Sequence, residues 1–344
     1  MTYNFVQERD HLYQHYYKIN TSASSDNNEF ILKLFKFQYK YNNIYRQYCK
    51  NLGIIGDKIK YIKEIPFLPI SAFKNHEIKT GYFDSEVIFT SSGTTGFQSS
   101  KHHVRNVKHY LRNTEVIWNH HFSDKKTFCF FALLPGYLER EGSSLISMMN
   151  HFIQNSEFKQ SGFYLRNHDE LYAQLNHCKL NKIPTVLIGV TYALLDFTND
   201  YQLDFPELVI IETGGMKGQR PELIKSELHK LLIPKFGVTK IYSEYGMTEL
   251  LSQAYTKGEN IFYNNPYFQI SIKQLNDPIS DEYRSKPGII CVTDLANIDS
   301  CAFIQTEDMG TKFSDSQFEV SGRINASDQR GCNLLIQEIA NVSQ

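Results

Sequence analysis

This sequence has no long apolar run, no Cys-x-x-Cys pair and no strong charge of either sign. A membrane-spanning helix needs about 18 or more consecutive apolar residues, and no stretch approaches that length. No apolar signal segment stands at the N-terminus, so we expect a cytoplasmic protein without a membrane span. A formal net charge of −1 gives no support for binding to nucleic acid or to a membrane surface.

The sequence also gives little support for a protein-held metal cluster. The six cysteines are scattered without zinc-type spacing, and we interpret them as reduced thiols, several of them buried. His102–His103 and His120–His121 are adjacent pairs, and adjacent histidines on a helix face different directions. No His-Glu-x-x-His motif occurs. A metal site built from histidines is therefore disfavoured.

Strand-like and helical patterns alternate through the middle of the chain. Apolar runs that predict strands lie at 127–134, 185–190, 208–211 and 240–243, and helical patterns lie at about 143–153, 169–180 and 221–232. This alternation predicts an α/β fold with mainly parallel sheets flanked by helices. The 344 residues allow one large domain or two ordinary ones.

We divide the chain into three parts. Residues 1–80 form a helical, aromatic segment packed on the body, in which the two prolines of 65–74 favour an extended or turn conformation. Residues 81–255 form the α/β core. Residues 256–344 form a smaller β-rich subdomain and a tail.

The segment with the clearest chemical signal is a hydroxyl-rich loop with two glycines. Its residues are Ser91, Ser92, Gly93, Thr94, Thr95 and Gly96, and Lys101 follows. Backbone N–H groups and hydroxyls of such a loop can hold phosphate oxygens. An apolar stripe from Val104 to Trp118 predicts a helix over about 102–120, which would place its positive end at the loop. The loop lacks the P-loop motif, and taken alone it fits a plain surface turn equally well.

Polar loops follow other predicted strands, where ligands of parallel sheets bind. Gly214 and Gly215 allow close approach of backbone to a flat ligand. The segment Tyr245-Gly246-Met247-Thr248-Glu249 combines an aromatic face, a hydroxyl and a carboxylate suited to Mg²⁺. Further on, Asp308 is a natural partner for ribose hydroxyls, and Arg323 is a fixed cation.

Together these motifs resemble those of adenylate-forming enzymes, the superfamily of acyl-CoA synthetases, adenylation domains and firefly luciferase. They stand in the same order and extend over residues 90–323. Within the superfamily, segments 65–74 and 330–335 are most similar to the LuxE-like acyl-protein synthetases of bacterial bioluminescence. The resemblance implies the N-terminal-type body of the superfamily, and the chain length leads us to expect that its mobile C-terminal domain is absent.

The resemblance also implies roles for single residues, with ATP and Mg²⁺ as cofactors. Ser91 to Gly96 and Lys101 would hold the ATP phosphates, and Thr248 would contact phosphate. The adenine and the acyl-adenylate would be framed by Gly214, Gly215 and Tyr245, with Gly246 in the same motif. Glu249 would hold Mg²⁺, and Asp308 would bind the ribose.

The sequence departs from the superfamily pattern at several positions. Phe97-Gln98-Ser99-Ser100 replaces the usual proline–lysine, Glu307 stands at a common glycine, and Asn325 replaces an acidic residue. A cation must still neutralise charge when the substrate carboxylate attacks the α-phosphate. The candidates are Lys101, Lys217 and Arg323, which the sequence does not rank.

The resemblance implies that a fatty acid or other carboxylic acid is activated and then transferred to an enzyme thiol. The matching thiol is Cys332, whose pKa Arg330 could lower, although Cys332 could instead pack with nearby leucines. The final acceptor would be an acyl-CoA reductase-like partner. Two alternatives remain open: direct transfer to coenzyme A or a carrier protein, and a non-catalytic protein that binds nucleotide or acyl-AMP.

Overall fold

The computed structural model describes residues 2–19, 27–91, 99–136, 141–214, 224–274, 277, 280 and 285–324. Its α-helices are α1 (Thr2–Tyr16), α2 (Asn28–Tyr41), α3 (Asn43–Asn51), α4 (Ala72–Asn75), α5 (Val107–His121), α6 (Ser144–Asn155), α7 (His168–Leu180), α8 (Thr191–Asp200) and α9 (Lys225–Phe236). None of the helices in these ranges is long and apolar enough to cross a lipid bilayer.

The strands are short in the first half of the chain and longer near its end. They are β1 (Leu68–Pro69), β2 (Val87–Thr90), β3 (Lys101–Val104), β4 (Cys129–Leu133), β5 (Gly162–Tyr164), β6 (Thr185–Val190), β7 (Val209–Thr213), β8 (Tyr242–Tyr245), β9 (Ala254–Thr256), β10 (Ile261–Tyr263), β11 (Phe268–Lys273), β12 (Gly288–Asp294), β13 (Phe303–Ser314) and β14 (Gln317–Arg323).

The described residues fall into two compact units. The first unit is drawn from Met1–Asn113, Met247–Ser252 and Asn264–Gln344. In it β11, β12, β13 and β14 pair antiparallel in that order, β1 pairs parallel with β13, and β2 and β3 form a separate hairpin. The apolar face of α2 is buried here, as its helical spacing predicts: Phe30, Ile31, Leu34 and Phe35 are at most 2% exposed.

The second unit is drawn from Thr114–Gly246 and Gln253–Tyr263. Its strand order is β5-β4-β6-β7-β8-β9-β10, parallel from β5 to β8 and antiparallel thereafter. The continuous apolar runs of β4 and β6 are fully buried, which is expected of strands covered on both faces. The mixed α/β architecture with a mainly parallel sheet is thus confirmed.

The segment after the hydroxyl-rich loop corrects one prediction. Residues predicted to begin a helix near His102 form β3, which pairs antiparallel with β2 from Val87↔Val104 to Thr90↔Lys101. Helix α5 begins after Asn106, whose side chain accepts a hydrogen bond from the His109 N–H at 3.1 Å. The loop therefore connects two strands, and the predicted contribution of a helix N-terminus at the loop is wrong.

Some other boundaries also differ. The helix predicted at 221–232 is described as Lys225–Phe236, and residues 221–223 lie outside the described part. The strand predicted at 240–243 begins at Tyr242 and ends at Tyr245. Helix α8 was not predicted, because Thr191–Asp200 follows β6 directly and carries no N-terminal side-chain cap that would mark its start.

Helix α9 ends at a glycine whose replacement should be costly. Gly237 has φ +67, and a Cβ there would lie 2.6 Å from the Asp204 Cα and 3.1 Å from the Phe205 nitrogen. We expect Gly237→Ala to lower the free energy of unfolding by about 2–3 kcal/mol, through backbone strain and this close approach. Denaturant unfolding measures the change. The control is Gly53→Ala, since Gly53 has φ +72 but a Cβ there would meet no neighbouring atom within 4 Å. This variant should lower the free energy of unfolding by about 1 kcal/mol. Equal losses would contradict the steric argument.

Candidate active site

The base of the hydroxyl-rich loop is closed by two serines of the first unit. The Ser91 N–H donates to the Ser100 carbonyl oxygen at 3.2 Å, and the Ser100 N–H donates to Ser91 Oγ at 3.0 Å. These bonds extend the β2–β3 hairpin by one more residue pair. The predicted phosphate-binding residues Ser92, Gly93, Thr94, Thr95 and Gly96 lie outside the described residues.

The predicted metal ligand lies directly against this base. Ser100 Oγ donates a hydrogen bond to Glu249 Oε1. Glu249 is 5% exposed, and burial raises the pKa of its carboxyl, although the Ser100 hydroxyl and the charges of Lys74 and Arg323 oppose that shift. The structure thus brings the end of the loop and the carboxylate into one site.

The backbone around Glu249 is held by buried side chains that we call the polar frame: His102, Asn113, Asp294 and Asn297. His102 Nδ1 lies 2.8 Å from the Thr248 carbonyl oxygen, and the Asn297 amide donates to the Glu249 carbonyl oxygen at 2.9 Å. Burial lowers the pKa of His102 to about 4, so its ring is neutral at neutral pH. His102 therefore serves a structural role here, through its contact with the backbone of Thr248.

The other half of the polar frame fixes the next residues. One oxygen of Asp294 accepts from the Leu251 N–H at 2.7 Å and the Ser252 N–H at 3.2 Å, and the other accepts from the Ser252 hydroxyl at 2.6 Å. The Asn113 amide donates to the Leu251 carbonyl oxygen at 2.7 Å. Burial raises the pKa of Asp294 to about 6. Backbone groups of residues 248–252 are thus bound by side chains from remote parts of the first unit.

Asp308 and Arg323 face each other on neighbouring strands. They are register partners on β13 and β14, and Arg323 Nε donates to Asp308 Oδ1 at 3.2 Å. The Asp308 side chain is 9% exposed and that of Arg323 is 78% exposed. The predicted ribose ligand is therefore oriented by a guanidinium that is itself open to solvent.

The remaining predicted cations differ in their surroundings. Lys101 is exposed at the start of β3, and because side chains alternate along a strand, it points to the face opposite His102. Lys217 lies outside the described residues. Lys74 was not predicted as a site residue, yet its charge acts on Glu249, and its Nζ lies 3.7 Å from Glu307 Oε1.

In the second unit, predicted ligand-framing residues stand at the carboxyl ends of adjacent parallel strands. Gly214, with φ +73, follows β7, and Tyr245 ends β8. Tyr245 is 8% exposed, and its ring centroid lies 5.7 Å from that of Phe262. Gly246 comes next and is exposed, whereas Gly215 lies outside the described residues.

The five described cysteines, Cys49, Cys129, Cys178, Cys291 and Cys301, are buried and form no disulfide with one another, in agreement with their interpretation as reduced thiols. The predicted nucleophile Cys332 lies outside the described residues.

The donor set of the first unit fits a Mg²⁺–nucleotide complex. Among the described residues, no group of three or more His, Cys, Asp or Glu side chains could hold a metal ion by itself. Glu249 and Ser100 nevertheless offer oxygen atoms as metal ligands. In nucleotide sites Mg²⁺ commonly binds one or two carboxylates together with substrate phosphate oxygens. A single buried carboxylate beside a phosphate-type loop meets that requirement.

Sequence reasoning missed most residues that position the site. Ser100 is recognised from the sequence only as a departure from the family pattern, and Asn113, Asp294 and Asn297 are not predicted as site residues. Their partners lie far away in the chain, 138 residues for Asn113 and Leu251. Asp294 is the last residue of β12, and no local pattern in the sequence marks its role.

We expect Asp294→Asn to lower the free energy of unfolding by about 2–4 kcal/mol, because an amide NH₂ would replace an oxygen that accepts from backbone N–H groups. Denaturant unfolding monitored by fluorescence measures this loss. Asp315→Asn is the matched control, since the Asp315 side chain is 87% exposed beside Lys312 and should change stability by less than about 0.5 kcal/mol. Equal effects of the two variants would contradict the structural role of Asp294.

The chain is similar to known ligases in sequence. Residues 18–135 match the family model described as acyl-protein synthetase, LuxE. Over 351 aligned residues the chain is 24% identical to the long-chain-fatty-acid–luciferin-component ligase of Aliivibrio fischeri, covering 91% of this chain and 88% of that relative. The chain is also 40% identical over 67 residues to the ligase of the same name from Vibrio harveyi. This shorter match covers 19% of this chain and 17% of that relative.

Its fold is similar to those of solved adenylate-forming ligases. One is 2-hydroxyisobutyryl-CoA ligase in complex with 2-HIB-AMP and CoA, with a TM-score of 0.65 and 12% identity over 89% of this chain and 70% of that one. Another is ATP-bound MatB from Rhodopseudomonas palustris, with a TM-score of 0.51 and 14% identity over 70% of this chain and 49% of that one. The predicted resemblance to the LuxE-like acyl-protein synthetases is thus confirmed, and the fold is similar to that of adenylate-forming ligases.

Proposed function

We propose that this protein activates a carboxylic acid with ATP and then transfers the acyl group to a thiol. In the first step a carboxylate oxygen of the acid bonds to the α-phosphorus of ATP, and the bond to pyrophosphate breaks. In the second step a thiolate bonds to the acyl carbon of acyl-AMP, and AMP leaves. The first step is favoured by positioned charge, because the protein itself forms no bond to the phosphate.

The observation that carries this proposal is the contact between Ser100 and Glu249 at the base of the hydroxyl-rich loop. A buried carboxylate thus lies beside the end of a loop whose composition suits phosphate oxygens. Mg²⁺ bound there would neutralise phosphate charge. In this reading Glu249 holds the metal, Ser91 and the loop residues hold phosphates, and Thr248 contacts phosphate.

Other residues would orient the nucleotide and stabilise charge. Asp308 would bind the ribose hydroxyls, and its contact with Arg323 at 3.2 Å supports a fixed orientation of the carboxylate. Arg323, Lys101 and Lys217 remain the proposed cations for the transition state. Gly214, Gly215, Tyr245 and Gly246 would frame the adenine and the acyl-adenylate.

The acid and the acceptor are proposed from similarity. The name of the Aliivibrio fischeri relative supports a long-chain fatty acid as the substrate. The resemblance to acyl-protein synthetases supports transfer to Cys332 as a thioester, followed by delivery to an acyl-CoA reductase-like partner or a carrier protein.

The adenylation step is tested by fatty-acid-dependent exchange of labelled pyrophosphate into ATP. We expect Glu249→Gln to slow this exchange by on the order of 10²-fold or more, because a neutral amide holds Mg²⁺ poorly. Ser100→Ala should slow it by about tenfold, since it removes the hydroxyl that orients the carboxylate.

The control for these variants is Glu29→Gln, which makes the same chemical change on an exposed side chain of α2. It should leave exchange unchanged. Absence of exchange by the wild-type protein across a panel of carboxylic acids of increasing chain length would contradict the adenylation proposal.

The acceptor is tested with Cys332→Ser. We expect this variant to retain pyrophosphate exchange but to lose the hydroxylamine-labile acyl-enzyme, because a serine hydroxyl is a much weaker nucleophile than a thiolate. Mass spectrometry after incubation with ATP, Mg²⁺ and fatty acid reports the acylated residue. If Cys332→Ser still transfers acyl groups to free coenzyme A at the wild-type rate, direct transfer replaces the acyl-enzyme route.

A further inference from the structure

Two carboxyl groups stand at the carboxyl ends of adjacent parallel strands in the second unit. Glu212 lies on β7 and Glu244 on β8, and Glu212 is the register partner of Ser243. Ligands of parallel α/β sheets bind at this edge. Neither carboxyl has a role in the proposed function described above.

Glu212 is held as an anion by residues of α8 and α9. Its Oε1 lies 2.9 Å from Lys225 Nζ and 3.9 Å from His229 Nε2, and its Oε2 accepts a hydrogen bond from the Thr191 hydroxyl at 3.2 Å. Burial by itself would raise the pKa of Glu212. The positive charge of Lys225 is the largest of the effects that outweigh burial and lower this pKa to about 2. Glu212 is therefore ionised at neutral pH.

Glu244, in contrast, is only partly ionised near neutral pH. Although part of its side chain remains exposed, desolvation raises its pKa to about 7, and the charge of Glu212 adds to the rise. The Thr213 hydroxyl and the charge of Lys225 oppose this shift. The register partner of Glu244 on β9 is Tyr255, a buried phenol. Near neutral pH the pair thus carries between one and two negative charges, because Glu244 titrates there.

The Glu244 side chain joins the two turns that follow these strands. Thr213 Oγ1 donates a hydrogen bond to Glu244 Oε2, and Thr213 precedes Gly214. The other oxygen, Oε1, occupies the space that a side chain at residue 246 would need, since a Cβ on Gly246 would clash with it. One carboxyl group therefore contacts the last residue of β7 and the residue that follows β8.

We propose that Glu244 is a positioning residue that, with Thr213, clamps the turn after β7 to the turn after β8 and so holds Gly214 and Gly246 in place for an acyl-adenylate. The choice of acyl-adenylate as the ligand rests on the proposed function. The contacts of the clamp lie within the second unit and do not depend on that choice. In its protonated form, Glu244 also adds no second negative charge beside the anionic ligand.

The clamp is tested with paired variants. Thr213→Val and Glu244→Ala remove one partner each, and Thr213→Ser and Glu244→Gln keep a hydrogen-bonding group. We expect the first pair to raise the KM for ATP about five- to tenfold with a smaller change in kcat, the usual effect of one lost hydrogen bond. The second pair should stay within about twofold of wild type. The exposed Glu227→Gln on α9 is the control.

A pH series separates positioning from a merely structural role. As pH rises through about 7, ionisation of Glu244 adds an anion beside Glu212, so the wild-type KM for ATP should increase. Glu244→Gln stays neutral and should lose that dependence. A Glu244→Gln variant as impaired as Glu244→Ala, or one that keeps the wild-type pH dependence, would overturn the proposal.

Hydrogen exchange tests the clamp without any substrate. Peptides covering 209–214 and 242–249 should exchange faster in Thr213→Val than in wild type, and the rest of the protein should not. Unchanged exchange in both peptides would overturn the clamp. Because this readout needs no ATP or fatty acid, failure of the adenylation proposal and failure of the clamp are distinguishable.

Discussion

The candidate active site depends on one constraint: the backbone of residues 248–252 is bound by buried side chains rather than by a regular element. Thr248 and Glu249 offer their carbonyl oxygens to His102 and Asn297, and the N–H groups of the next residues bind Asp294. A buried backbone without such partners would lose several hydrogen bonds at once. The polar frame thus lets an irregular segment present a carboxylate to the base of the hydroxyl-rich loop.

Buried acidity is the common electrostatic feature of the two units. Burial raises the pKa of Glu249 in the first unit and of Glu244 in the second. A buried carboxyl is stable as an anion only beside positive charge, as Glu212 is beside Lys225. A divalent cation would supply that charge to Glu249, whereas Glu244 is only partly ionised near neutral pH and acts through its hydrogen bond with Thr213. The same residue type thus has different roles in the two units because its surroundings differ.

The sequence predicts the fold class and the location of several strands, because buried parallel strands such as Thr185–Val190 are continuous apolar runs. It failed at Lys101–Val104, where two histidines are buried as strand residues and no local pattern reveals their remote partners. The polar frame was unpredictable for the same reason: its members, at 102, 113, 294 and 297, lie far along the chain from the backbone of residues 248–252 that they bind. Motif order indicated the nucleotide chemistry, but the roles of Ser100, Glu244 and Lys74 follow from tertiary contacts alone.

The central claim is that the acid is activated by bonding to the α-phosphorus of ATP. It is tested most directly with a fatty acid carrying ¹⁸O in its carboxylate, incubated with the protein, ATP, Mg²⁺ and a thiol acceptor. If acyl-AMP forms and its acyl–oxygen bond is then cleaved, AMP retains one labelled oxygen, and mass spectrometry detects it. Unlabelled AMP, or label found in inorganic phosphate with release of ADP, would contradict the account.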